Sequence, residues 1–217
     1  MEPTLTRISI PVSDSIGRVS ALIMSPQDPK ALIVLAHGAG AGMTHHFMED
    51  LSKELVKKSM ALMRYNFPYM ENKKGRPDPP AIAEKTVSAV LEEAHKLYPR
   101  LPVFASGKSF GGRMTSQKLS KECPAFVKGI IFFGFPLHPI GQPSVERAAH
   151  LKNVSIPMLF LQGTKDKLAE LPLLEKTCAE LVNATLVKFE GADHSFKVGK
   201  RELISDLAEE VARWIKL

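Results

Sequence analysis

Apolar residues run along the chain in two alternating styles. Short runs that are apolar on successive positions read as strands: Arg7–Val12, Val19–Met24, Ala31–Ala36, Ala61–Asn66, Pro102–Ser106, Val127–Phe135, Met158–Gln162 and Thr185–Glu190. Ala-Leu-Ile-Val-Leu-Ala and Gly-Ile-Ile-Phe-Phe-Gly show no polar alternation, the pattern of strands buried on both faces of a parallel sheet. Between the runs apolar residues recur every three to four positions: Phe47, Leu51, Leu55; Ala83, Val87, Val90, Leu91, Ala94; Leu203, Leu207, Val211, Trp214, Ile215. These are amphipathic helix faces. Pro79-Pro80 suits the start of the second helix and Pro99 its end. Two strands followed by strand–helix repetition predict an antiparallel edge leading into a mostly parallel, doubly wound α/β sheet.

The Pro-, Lys- and Asn-rich segment Tyr69–Pro80 reads as a surface loop, and its place after a strand C-terminus puts it where such sheets bind ligands. Leu137–Ile156 is too short for a substantial lid. No repeat, low-complexity tract or linker divides the 217 residues, so one domain is expected over 1–217.

Composition narrows the partners. Apolar residues make up 44% and charged residues 24%, ordinary values for a soluble globule. The net charge of +6 is spread over helix and loop surfaces, as at Lys53, Lys57, Lys58 and at Lys73, Lys74, Arg76, and no zinc-finger or RNA-recognition pattern accompanies it. No nucleic-acid partner is expected. Cys123 and Cys178 form no metal-ligand pair and no disulfide framework. The start of the chain shows no secretory pattern, and the most apolar stretch, Gly129–Leu137, is too short to span a bilayer. A cytoplasmic protein without a membrane partner is the expectation. Oligomeric state is left open.

Chemistry concentrates at Gly107-Lys108-Ser109-Phe110-Gly111, a G-x-S-x-G pattern extended by Gly112. A predicted strand precedes it and a helix-compatible stretch, Gly111–Lys121, follows, as a nucleophile elbow requires. Alone the pattern is equally a tight glycine turn. A serine hydroxyl is a weak nucleophile without a base, and two downstream groups supply what it lacks, in the chain order acid then histidine. Asp166 lies just past the strand ending at Gln162, and His194 lies in the loop after the strand ending at Glu190. Read singly, Asp166 is an N-cap for a helix starting near Leu168 and His194 an ordinary loop histidine. Read together, Ser109, Asp166 and His194 form a catalytic triad.

The backbone N–H of Phe110 and that of Ala39, with Gly40 as the alternative, are the expected oxyanion donors; Ala39 sits in the small-residue loop His37–Gly42. His45 and His46 have no third ligand at suitable spacing, so no metal is expected, and no cofactor. Glu49 reads as part of a helix-surface charge pair. Met43, Met48, Met70 and Met114 either line an acyl pocket or fill core gaps. Lys108 either attracts anionic substrates or sits exposed at the turn.

The His-Gly-Ala-Gly loop, the Gly-Lys-Ser-Phe-Gly-Gly-Arg elbow and Gly-Ala-Asp-His-Ser-Phe together resemble the α/β-hydrolase superfamily over nearly the whole length. The compact, lidless group related to dienelactone hydrolases is the most similar. His37–Thr44, Arg64–Tyr69 and Lys108–Arg113 resemble its branch that includes a testis-expressed protein and the hydrolase-like domain of a chromatin-complex subunit. The resemblance implies the α/β-hydrolase fold with about eight strands, and a cofactor-free hydrolase acting on a small-molecule ester or thioester. Dienelactone hydrolases carry a cysteine nucleophile where this chain has Ser109, which argues against dienelactone as substrate. A catalytically silent binding or scaffold module, and an acyltransferase or peptidase with the same triad, remain alternatives.

Overall fold

Residues 3–216 are described by a computed structural model. Eight strands, β1 (Thr4–Ser13), β2 (Gly17–Ser25), β3 (Ala31–Ala36), β4 (Met60–Tyr65), β5 (Val103–Lys108), β6 (Val127–Phe133), β7 (Met158–Gly163) and β8 (Ala184–Phe189), form one sheet in the order β1-β2-β4-β3-β5-β6-β7-β8. The β1/β2 and β2/β4 pairings are antiparallel and all the others parallel. A two-stranded ribbon, β9 (Lys197–Val198) and β10 (Arg201–Glu202), stands apart.

Helices cover both faces. On one lie α1 (His46–Lys57) and α6 (Ile204–Ile215), whose Leu51, Leu55, Leu207 and Val211 pack on Ile33, Leu35, Leu62, Ile131 and Leu159. On the other lie α3 (Pro80–Leu97), α4 (Phe110–Lys121), a 3-10 helix (Glu146–Asn153) and α5 (Leu171–Ala179), packed on Leu32, Val34, Met63, Phe132 and Phe160. The unbroken apolar runs follow from this. Successive residues of β3 enter different cores, Ile33 and Leu35 one, Leu32 and Val34 the other, so no position is left to be polar. β1 has a neighbour on one side only, and most of it is exposed or half-buried.

The predicted strands all form, with boundary shifts. The most consequential is β5, which runs two residues past the expected end at Ser106 because Gly107 and Lys108 still pair with Phe132 and Phe133 of β6. The elbow helix accordingly starts directly after Ser109. Tyr69–Pro80 begins differently from a surface loop. Tyr69 belongs to a short helix, α2 (Pro68–Glu71), and is buried, its N–H donating to Asp78 Oδ2 at 2.8 Å. Four residues are too few to show helical periodicity, and the two-residue strands β9 and β10 are likewise invisible as a pattern. The connection from β6 to β7 carries the 3-10 helix and no added helical layer.

Candidate active site

Ser109 sits at the sharp turn between β5 and α4 with φ 51° and ψ −116°, a region that costs an L-residue about 1–3 kcal/mol. Packing holds it there. A Cβ on Gly107 would stand 2.2 Å from Gly112 N, and one on Gly111 would stand 2.5 Å from Ala36 O and 2.6 Å from His37 O. The start of α4 therefore presses against β5 and the end of β3 closer than any side chain allows. Ser109 N–H donates to Phe133 O at 3.2 Å, which ties the turn to β6.

The loop after β7 brings Asp166 beneath the loop after β8. His194 Nδ1 lies 2.6 Å from Asp166 Oδ2, and the Asp166 side chain is wholly buried. Oδ2 also accepts from Gln162 Nε2 at 2.6 Å, and Oδ1 accepts from Leu168 N–H at 2.8 Å. Asp166 does not cap a helix: its Oδ1 closes a turn onto Leu168, and the helix that follows begins only at Leu171, with Glu170 as its N-cap. A carboxylate that only accepts leaves the proton on Nδ1 and the lone pair on Nε2. Gln162 is oriented in turn by Phe135 N–H, which donates to its Oε1 at 2.9 Å. Gln162 escaped the sequence reading. Its signal was a lone amide within a doubly buried apolar strand, which must find partners.

Ser109 and His194 both line a cavity of about 430 Å³, together with Ala39, Met48 and Lys108. No hydrogen bond joins Ser109 Oγ to His194 Nε2 in this structure, as is common before substrate arrives. Ala39, Gly40 and Phe110 N–H have no backbone acceptor among the described residues, and of Ala39 and Gly40 only Ala39 lines the cavity.

Buried polar groups shape the Ala39 loop. His37 accepts from Phe67 N–H at Nε2, 3.0 Å, so its proton is on Nδ1, which donates to Gly38 O at 2.8 Å. Burial lowers its pKa from 6.5 to about 4, keeping the ring neutral and this pairing intact. Arg64 Nη1 donates to Met43 O and Asn66 Oδ1 accepts from Met43 N–H. Glu49 reaches across to Arg64 at 3.4 Å, an inter-element pair where a pair within the helix surface was expected.

His45 caps α1, its Nδ1 accepting from Phe47 N–H at 3.3 Å. Among the described residues no three His, Cys, Asp or Glu side chains are grouped to hold a metal ion. Of the four methionines, Met48 lines the cavity, Met43 and Met114 are buried, and Met70 packs against the core. Lys108 is not exposed at the turn: it is half-buried and lines the cavity.

Residues 29–216 match the family model described as the alpha/beta hydrolase domain. Among solved structures, an alpha-beta serine hydrolase homologue from Coxiella burnetii superposes with a TM-score of 0.78 at 21% identity, over 99% of this chain and 98% of that one. A dienelactone hydrolase from Anabaena variabilis gives 0.78 at 17% identity, over 100% and 98%. A serine hydrolase without lid from Xanthomonas campestris gives 0.75 at 17% identity, over 100% and 94%. No helix among the described residues is long and apolar enough to cross a membrane.

Proposed function

This chain belongs to the alpha/beta hydrolase family, and from that premise we propose that it is a serine hydrolase of carboxylic esters or thioesters. The observation carrying the proposal is the buried Asp166 bonded at 2.6 Å to His194, which shares a cavity with the strained Ser109. Names of its structural neighbours point the same way, one being a serine hydrolase homologue and another an esterase.

In the proposed reaction Ser109 Oγ attacks the acyl carbon while its proton passes to His194 Nε2. Asp166 stabilises the resulting imidazolium and keeps its orientation. The carbonyl oxygen, now an oxyanion, receives the N–H groups of Phe110 and Ala39, the first at the start of α4 where the helix dipole favours negative charge. The bond to the leaving group breaks and the leaving group takes the proton from Nε2. Water then adds to the acyl-enzyme, giving its proton to Nε2; the acid departs and Oγ recovers the proton.

Labelling by a fluorophosphonate probe, with mass mapping of the adduct, tests the assignment. The wild type is expected to carry the adduct on Ser109, and Ser109→Ala to lose both adduct and ester turnover. Turnover that survives in Ser109→Ala would sink the mechanism, and an unlabelled, folded wild type would favour a binding module.

A further inference from the structure

Lys108 is a half-buried cation that the catalytic scheme above does not use. It lines the cavity beside Ser109, and its Nζ donates to His194 O at 2.5 Å. That is its one hydrogen bond among the described residues, although an ammonium carries three donors. The rings of Phe47 and Phe196 lie with centroids 5.7 and 5.3 Å from Nζ and offer partial compensation through their π faces. No carboxylate forms an ion pair with it. Asp166 and Asp193 act from a distance, and Asp166 is already engaged by His194, Gln162 and Leu168. Two of the groups that surround Nζ, Phe47 and His194, themselves line the cavity. A Cβ on Gly134 would stand 3.1 Å from Nζ and 3.3 Å from His194 Nδ1, so ammonium and imidazole share one chamber.

Lys197, His45 and His46 also line the cavity, and no Asp or Glu does. Lys197 is paired with Glu202 at 2.6 Å, which leaves Lys108 as the lining cation without an anionic partner among the described residues.

We propose that Lys108 is a specificity-determining residue, and that the substrate of this site is an ester or thioester carrying a carboxylate, which pairs with the Lys108 ammonium while Ser109 engages the carbonyl. The proposal rests on the hydrolase reading. One unpaired cation in a largely apolar cavity matches a monoanion better than a dianionic phosphate, whose second charge would go unpaired. Burial lowers the Lys108 pKa from 10.5 to about 8, against the raising influence of Asp166 and Asp193. The other titratable groups facing it are His194, through its carbonyl, and His45 at the start of α1, whose own pKa is lowered by burial, by His46 and by Lys108. Carboxylate preference is therefore expected to be fullest near neutral pH and to fade as pH rises through about 8 and the free enzyme loses the ammonium.

The test compares kcat/KM for 4-nitrophenyl half-esters of succinate, glutarate and adipate with neutral 4-nitrophenyl esters of equal length, after subtraction of spontaneous hydrolysis. The wild type is expected to prefer a half-ester, and Lys108→Met to lose that preference by about tenfold or more, the value of a charge-assisted contact. Lys108→Arg should retain part of it. If Lys108→Met lowers both ester classes equally, Lys108 only positions the His194 loop and the proposal falls. Calorimetric titration of Ser109→Ala with monomethyl glutarate, a monoanion, reads the anion site without turnover. Binding that disappears in Ser109→Ala/Lys108→Met supports it even should the hydrolase reading fail, whereas no binding together with no half-ester preference overturns it.

Discussion

At the scale of single residues, the site depends on imidazoles whose hydrogen-bond partners are set by their surroundings. His194 and His37 have opposite environments for the same group. His194 donates a hydrogen bond from Nδ1 to the Asp166 carboxylate and lines the cavity. His37 is sealed between Phe67 N–H and Gly38 O and stays neutral. That second case has a consequence for stability. Folded His37 binds a proton only below about pH 4, whereas the unfolded chain binds one below about 6.5. Stability from this group is complete above 6.5 and is lost as pH falls through that window, by up to roughly 3 kcal/mol. Unfolding midpoints followed from about pH 7 to about 4.5 should fall more steeply in the wild type than in His37→Gln. His150, also lowered to about 4, contributes to both proteins alike. Parallel declines would assign the acid sensitivity elsewhere.

At the scale of elements, the elbow is a strand and a helix forced into contact. Ser109 adopts its positive φ because α4 starts immediately beyond it and Gly107 and Gly111 let the backbones meet. Gly111→Ala would place a methyl 2.5 Å from Ala36 O, a backbone atom at the end of β3, held between β4 and β5, that cannot step aside. Overpacking of this kind costs about 1–3 kcal/mol or more, and here it also tilts the helix that carries Phe110 N–H. A lowered unfolding midpoint and loss of probe labelling are the expected results. Gly75→Ala provides the control, since nothing lies within 4 Å of its added Cβ; its stability should stay within about 0.5 kcal/mol of the wild type. Full labelling of Gly111→Ala would show that the elbow tolerates an opened contact.

At the scale of the whole molecule, two cores sandwich the sheet and the chain returns to one end of it for every candidate group. Loops after β3, β5, β7 and β8 meet there, as parallel strands require when their C-termini share an edge. No helical layer is inserted after β6 to roof the cavity. An unroofed cavity leaves a long acyl chain in water, without the apolar burial of about 0.8 kcal/mol per methylene that would favour it. Short 4-nitrophenyl esters are therefore expected to be turned over at least as well as long ones. A kcat/KM that climbs steadily from four to about twelve carbons would contradict this, at close to the factor expected for buried methylenes.

Much of this architecture was legible in the residues themselves, because it follows from local rules. Apolar runs without alternation specify strands covered on both faces, and the glycines of Gly107–Gly112 specify a turn no bulkier residue could make. The order Ser109, Asp166, His194 along the chain places all three at strand ends. Other features depend on residues distant in sequence and had no local signature. The position of the Lys108 ammonium is defined by His194, Phe47 and Phe196, and the neutral His37 by Phe67. Gln162 and Arg64 betray themselves only as polar side chains in apolar strands, without saying which partner each will find. Sequence determined the strands, the turn and the order of reactive groups, since those answer to neighbouring positions. Tertiary structure alone decided which groups are desolvated and what they face, since burial and charge pairing are set by chain segments that meet only when the sheet closes.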